Sequence, residues 1–154
     1  MKLLVCAAAL VGVAIWPAMA KSKHCTVRVH VEANAQDTPV FSSAVRARFS
    51  GKEIAIERMP RITEADVAAF QAYPIGQGNY GALLQLNEHG RFALDALSIE
   101  HRGGLLFVFI NGRPVAELQI DRRVADGKIY IASGLTAADI ELMKKDWPPG
   151  RKRR

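Results

Sequence analysis

Several stretches of the chain alternate apolar and polar residues with a period of two, and each predicts a half-buried strand. Val27, Val29 and Val31 alternate with Arg28, His30 and Glu32. Ile54 and Ile56 alternate with Glu53 and Glu57, in a strand that stops by Pro60. Val115, Glu117 and Gln119 alternate with Ala116, Leu118 and Ile120. Leu105 to Ile110 is instead a continuous apolar run, β-branched and aromatic, followed by Asn111-Gly112. That pair suits a type I′ hairpin, because both central residues need positive φ. Two more strands are predicted, one over Tyr80 to Leu86 and one around Ile129 to Ile131. The first follows a glycine-rich turn and the second the Asp126-Gly127 turn. Residues 33–52 hold Asn34, Asp37, Pro39, Ser42, Ser43 and Gly51, and Phe41 to Phe49 within them fits strand or helix.

Three other stretches carry helical spacing. Thr63 precedes Glu64-Ala65-Asp66, a capping residue followed by acids in the first turn. Val67, Phe70 and Gln71 continue the pattern and Tyr73-Pro74 ends it, predicting a helix over 63–72. Phe92, Leu94, Ala96, Leu97 and Ile99 predict a second over 91–102, after the turn Asn87 to Gly90 and before Gly103-Gly104. Thr136 and Asp139 form a capping-box-like start for a third over 136–146. Ile140, Met143 and Trp147 keep its spacing until Pro148-Pro149-Gly150. No repeat and no long linker divides the chain. The expectation is an α+β fold in a single small domain. One mixed or antiparallel sheet would carry three helices packed mainly on one face, roughly ferredoxin-like.

The start of the chain has a different character. Lys2 is the one charged residue among residues 1–20, and Leu3 to Ile15 is uninterruptedly apolar. Trp16-Pro17 ends the run, and Ala18-Met19-Ala20 offers the small residues of a signal-peptidase site. Residues 1–20 therefore read as a cleaved signal peptide, too short for a spanning helix of about 20 apolar residues. Cys6 lies too early for a lipoprotein cleavage site. The apolar run from Leu105 to Ile110 cannot cross a bilayer, so the expected location is the periplasm. Cleavage removes Cys6 and leaves Cys25 without an intramolecular partner.

The whole chain is 154 residues, 49% hydrophobic, with a formal charge of +6. This composition excludes a disordered or collagen-like chain. The charge is uneven. Lys2 lies in the signal segment, and Arg151, Lys152, Arg153 and Arg154 end the chain. Residues 21–150 therefore carry only +1, and the basicity reads as a property of the tail, residues 151–154. Those four residues are the candidate contacts with an anionic surface, either lipid head groups or acidic polypeptide. A solvated end is the alternative. An exported domain whose folded part shows no basic face is not expected to bind nucleic acid.

Catalytic signals are weak. No GxSxG, HExxH, CxxC or Walker pattern occurs. Gly76, Gly78 and Gly81 lead into a strand, whereas a dinucleotide loop follows one and opens a helix. Glu64 with Asp66, and Asp139 with Glu141, are spaced i, i+2 and point to different helix faces. Asp121 and Asp126 flank Arg122-Arg123, where turn chemistry and solvation suffice. His24, Cys25 and His30 do not make a metal site, because Cys25 and His30 face opposite sides of a strand. His30 is expected to face solvent after a frayed N-terminus. His89 and His101 bracket a helix about three turns apart, with His101 placed to complement its C-terminus. No catalytic, cofactor or metal-binding residue is assigned.

The block from Gly81 to Lys145 resembles the first periplasmic head domain of SecD, a subunit of the protein-export translocase. The family runs in the same order. A strand precedes a glycine, an aromatic and a helix. An apolar strand, an NG or DG turn and a V-x-x-x-x-I strand follow. A DG-x-x-x-I strand then leads to GLT at a final helix. The matching landmarks here are Gly90, Phe92, Asn111, Gly112, Val115, Ile120, Asp126, Gly127, Ile131, Gly134, Leu135 and Thr136. Ile62 to Val67 matches the family's approach to this block, so the resemblance covers about 85 residues.

The resemblance implies the fold and a habit of touching exported chains, and it carries no catalytic residue across. SecD proteins have membrane helices beyond this domain, and no such segment is read here. The leading expectation is a non-enzymatic periplasmic binding module that takes up an extended segment at a strand edge or a groove beside it. An adaptor for one envelope partner, tethered by the basic tail, is the second reading. A small hydrolase with an unrecognised site is the third.

Overall fold

The computed structural model describes residues 24–34, 39–48 and 50–148. The predicted signal segment and the basic tail, residues 1–20 and 151–154, lie outside the described residues. Among the described residues nine strands and two helices follow one another, and the fold is α+β. They are β1 (Val27–Val31), β2 (Ser42–Arg46), β3 (Glu53–Glu57), β4 (Ile62–Thr63), β5 (Val67–Gly76), β6 (Asn79–Leu86), α1 (Glu88–Glu100), β7 (Leu105–Ile110), β8 (Arg113–Gln119), β9 (Lys128–Thr136) and α2 (Ala137–Asp146). The pairings are antiparallel and make three sheets rather than one, in orders β4-β1-β7-β8, β5-β6-β9 and β2-β3.

The apolar run of β7 is explained by burial on both faces. Leu106, Val108 and Ile110 join Val27, Val29 and Val31 of β1 in the main core. Phe107, with Leu105 and Phe109 beside it, faces the other way, against Val45, Ala47, Ile54 and Ile56 of the β2–β3 hairpin. Burying Phe107 completely contributes about 2–3 kcal/mol. The helices lie on the main-core side. Leu94 and Leu97 of α1 and Ile140 and Met143 of α2 meet Leu84, Leu86, Ile129 and Ile131 there. At the tip of the β7–β8 hairpin, Asn111 and Gly112 take φ of 51° and 77°, as the type I′ reading requires.

The helix expected over 63–72 is a strand. Its predicted cap exists: the Thr63 amide and hydroxyl both donate to the Asp66 carboxylate, at 2.8 and 3.2 Å. The cap closes only a single 3-10 turn, Glu64–Asp66. Beyond it the backbone pairs with β6 over ten residues, from Val67↔Leu86 to Gly76↔Asn79, and packs Phe70 and Ala72 on the core. Tertiary pairing outweighs a local helical preference of a few tenths of a kcal/mol per residue. Pro74 does not end the element, because β5 is an edge strand and an edge tolerates a missing N–H.

One open alternative is resolved and two further expectations are corrected. Ser42–Arg46 is a strand, which settles the ambiguous segment in its described part. The start of the domain is pinned, not frayed. The amides of Cys25, Thr26 and Val27 donate to Asp146, Asn111 and Glu64, at 2.6, 3.1 and 3.3 Å. His30 is half-buried, edge-on to Phe109 at 5.4 Å, and its Nδ1 donates to the Glu57 carbonyl at 2.8 Å.

Candidate functional site, a cleft between two strand edges

β8 and β9 are edge strands of different sheets and run next to each other. A bulge in β9 brings them together at one end. Tyr80 pairs with Leu135 and Ala82 with Ile131, so β9 carries two extra residues opposite Gly81. That excursion sets Gly134 against β8, where a Cβ would lie 3.1 Å from the Val115 carbonyl oxygen. Its amide is held by Asn79 Oδ1 at 2.9 Å, and its φ of 103° suits glycine.

Toward the other end lies a cleft of about 730 Å³, between Leu118 and Gln119 of β8 and Lys128 to Tyr130 of β9. Its floor is apolar: Leu83, Leu94, Leu106, Leu118 and Ile129. Its rim is charged, with Asp121, Arg122, Arg123, Asp126 and Lys128. Arg123 is anchored on Asp95 by two hydrogen bonds of 2.6 and 2.7 Å, which fixes the loop over α1 and holds the Asp95 carboxyl below its usual range. Tyr130 stands exposed at the mouth and stacks on Tyr73, centroids 5.7 Å apart and rings 14° from parallel. The Tyr73 hydroxyl donates to the Ile131 carbonyl at 2.8 Å. Desolvation and the neighbouring Tyr130 phenol push the Tyr73 phenol upward.

An apolar floor between two unpaired main-chain edges can accept an extended segment by strand pairing, with side-chain pockets below. It offers no nucleophile poised with a base. The Ser98 hydroxyl in the lining donates to the Asp95 carbonyl at 2.8 Å and accepts the Val124 amide at 2.9 Å, so a structural role occupies it.

The residues weighed from sequence are dispersed. Arg151, Lys152, Arg153 and Arg154 lie outside the described residues. Glu64 and Asp66 serve different partners: Glu64 takes the Val27 amide, and Asp66 takes Thr63 and lies 2.7 Å from His89 Nδ1. Glu141 binds Lys144 at 2.9 Å, while Asp139 caps α2 through Thr136 and receives Asn111 Nδ2 at 2.7 Å and Arg113. Burial alone would raise the Asp139 carboxyl, but the Thr136 amide, Asn111, the Thr136 hydroxyl and Arg113 hold it below its usual range. His101 caps the end of α1, its amide on the Leu97 carbonyl at 2.9 Å, and does not meet His89. Cys25 is buried, and desolvation followed by the charges of Asp139, Asp146 and Glu64 pushes its thiol up to about 12. No group of three or more His, Cys, Asp or Glu able to hold a metal ion occurs among the described residues. None of the helices described is long and apolar enough to cross a membrane.

Sequence reasoning passed over the cleft itself. One signal was present: Tyr130 sits between Ile129 and Ile131, so alternation places a large aromatic on the outward face of β9.

No protein-family model matches the chain, and no curated protein does. Solved structures share its fold, among them the following two. One is described as the structure and function of a membrane component, SecDF, that enhances protein export. It aligns at a TM-score of 0.55 and 15% identity, over 84% of this chain and 66% of that one. The other is SecDF in a super-membrane-facing form, at a TM-score of 0.56 and 14% identity, over 86% of this chain and 20% of that one. The chain thus spans about two-thirds of the first and a fifth of the second. At this identity the likeness shows the fold alone, an α+β domain similar to part of SecDF.

Proposed function

We propose that this chain is a non-enzymatic binding module that contacts extended polypeptide during protein export, acting in the periplasm after removal of residues 1–20. The cleft between β8 and β9 carries this reading, because it combines two main-chain edges with an apolar floor and an exposed tyrosine. The shared fold with SecDF, a component that enhances export, supports it. Binding is passive: the bound segment adds a strand along one edge and seats alternate side chains on Leu118 and Ile129.

The test places a photo-crosslinking residue at Leu118 or Tyr130, with Glu141 on α2 as the control, in the chain exported from a bacterial host. Adducts are identified by mass spectrometry. Many unrelated exported proteins captured at the cleft, and not at Glu141, are expected. One dominant partner would replace this reading with that of a dedicated adaptor. Equal yields at the cleft and the control would overturn it.

A further inference from the structure

We infer that two copies of this chain pair edge to edge through β5, antiparallel, about a two-fold axis at Gln71. β5 is ten residues long and is an outer strand of its sheet, and among the described residues no strand pairs with its far side. Exposed edges are ordinarily kept from pairing by shortness or by charge. The other outer strands obey that rule. β4 is two residues long, between Arg61 and Glu64, while β8 carries Arg113 and Glu117 and β9 carries Lys128. The β2–β3 hairpin carries Arg46, Glu53 and Glu57. β5 departs from the rule: in a chain that is 23% charged, no residue from Val67 to Asn87 bears a charge.

The main chain of β5 matches itself, and this identifies the occupant as a second copy. The Leu86 amide donates to the Gly127 carbonyl at 2.8 Å, so Leu86 turns its main chain toward β9, as do Leu84 and Ala82 by alternation. Gln85, Leu83 and Gly81 turn theirs toward β5, onto Ala69, Gln71 and Tyr73. The amides and carbonyls of Phe70 and Ala72 are thereby left pointing outward, with the carbonyl of Pro74. A two-fold axis at Gln71 sets Phe70 of each copy opposite Ala72 of the other, and each such pair exchanges both of its amide-to-carbonyl hydrogen bonds. Large side chains then meet small ones on both faces of the joined sheet, Phe70 against Ala72 and Tyr73 against Ala69. An axis at Ala72 would instead set Phe70 against Pro74, which has no N–H for the Phe70 carbonyl. An axis at Phe70 would run the pairing into the bulge at Ala68. This surface is separate from the cleft and does not rest on its role.

The test is sedimentation velocity of the chain lacking residues 1–20 over a range of concentrations. A monomer–dimer equilibrium is expected. Gln71→Lys places two like charges directly opposite each other at the axis and should weaken dimerisation about fivefold. Gln71 is exposed, so the fold survives its replacement, which circular dichroism checks. Gln71→Cys brings together two thiols whose Cα atoms would lie about 4.5 Å apart, within reach of a disulfide. With oxidised glutathione as the oxidant it should become a covalent dimer. Ala69→Cys should not, because its Cα atoms would lie about 14 Å apart. A monomer at every concentration overturns the proposal. So does a dimer indifferent to Gln71→Lys, or cross-linking at position 69 as complete as at position 71. A dimer seen only after trimming at Gly150 would give the edge to the chain's own tail, and a co-purifying host polypeptide released by Gln71→Lys would give it to that polypeptide. Either result overturns the proposal as well.

Discussion

The ring of Tyr73 lies flat across Gly81, its partner on the neighbouring strand. A Cβ at position 81 would sit 2.6 Å from the tyrosine hydroxyl oxygen. The absent side chain of Gly81 is the space in which the ring reaches the Ile131 carbonyl and stacks on Tyr130. Gly81→Ala must push the ring aside and break both contacts, so a loss of about 1–3 kcal/mol is expected by urea denaturation. In a Tyr73→Ala background the same substitution should cost far less, and equal costs in the two backgrounds would show that the ring is not the reason.

Asn111 holds three positions at once. It adopts positive φ in the turn, accepts the Thr26 amide through Oδ1 and donates to Asp139 through Nδ2. Asn111→Ala should therefore destabilise by about 2–3 kcal/mol. Asn111→Gly restores the backbone freedom but neither hydrogen bond, and its unfolding midpoint should fall between those of wild type and alanine variant.

Acid should weaken the fold. Asp139, Asp146, Glu57 and Asp95 all titrate lower in the folded chain than their ordinary values. The unfolded chain therefore binds protons first as pH drops, and the contribution is full above about pH 5 and lost as pH falls through the folded values. Thermal melts between pH 2 and 7 should show this decline. Asp139→Asn should flatten part of it, and an unchanged profile would mean that Asp139 contributes nothing to acid sensitivity.

The Cys25 thiol should be inert. It is buried and pushed up to about 12, so almost no thiolate forms at pH 8. In the chain lacking residues 1–20, labelling by iodoacetamide should proceed only as fast as the domain unfolds and should accelerate steeply in denaturant. Rapid labelling of the native chain would refute this.

The legible parts of the fold were those where one residue type answers to one local demand. Asn111-Gly112 needs positive φ whatever surrounds it, and Thr136 with Asp139 closes a cap within four residues. The failed part was Val67 to Gly76, where the chain's own spacing says helix and the partner that makes it a strand is β6. Gly90 lies between. Its sequence context predicts a turn before a helix over 91–102, whereas it is the third residue of α1, and the reason for a glycine there was not legible: a Cβ would lie 2.8 Å from Asp66 Cβ, a contact made only when the 3-10 turn docks on α1. The cleft was invisible for the same cause. Its walls come from β6, α1, β7, β8 and β9, and no window of sequence contains them together.

The pinned start of β1 has a topological consequence. The Cys25 amide rests on the carboxylate of Asp146, the last residue of α2, so the approach to the first strand described and the end of the last helix described meet there. A short linker could join these two points, and new termini could be opened at the exposed Gln77-Gly78 turn, where β5 and β6 would still pair. The body is therefore suited to circular permutation, and to being spliced whole into a loop of a host protein.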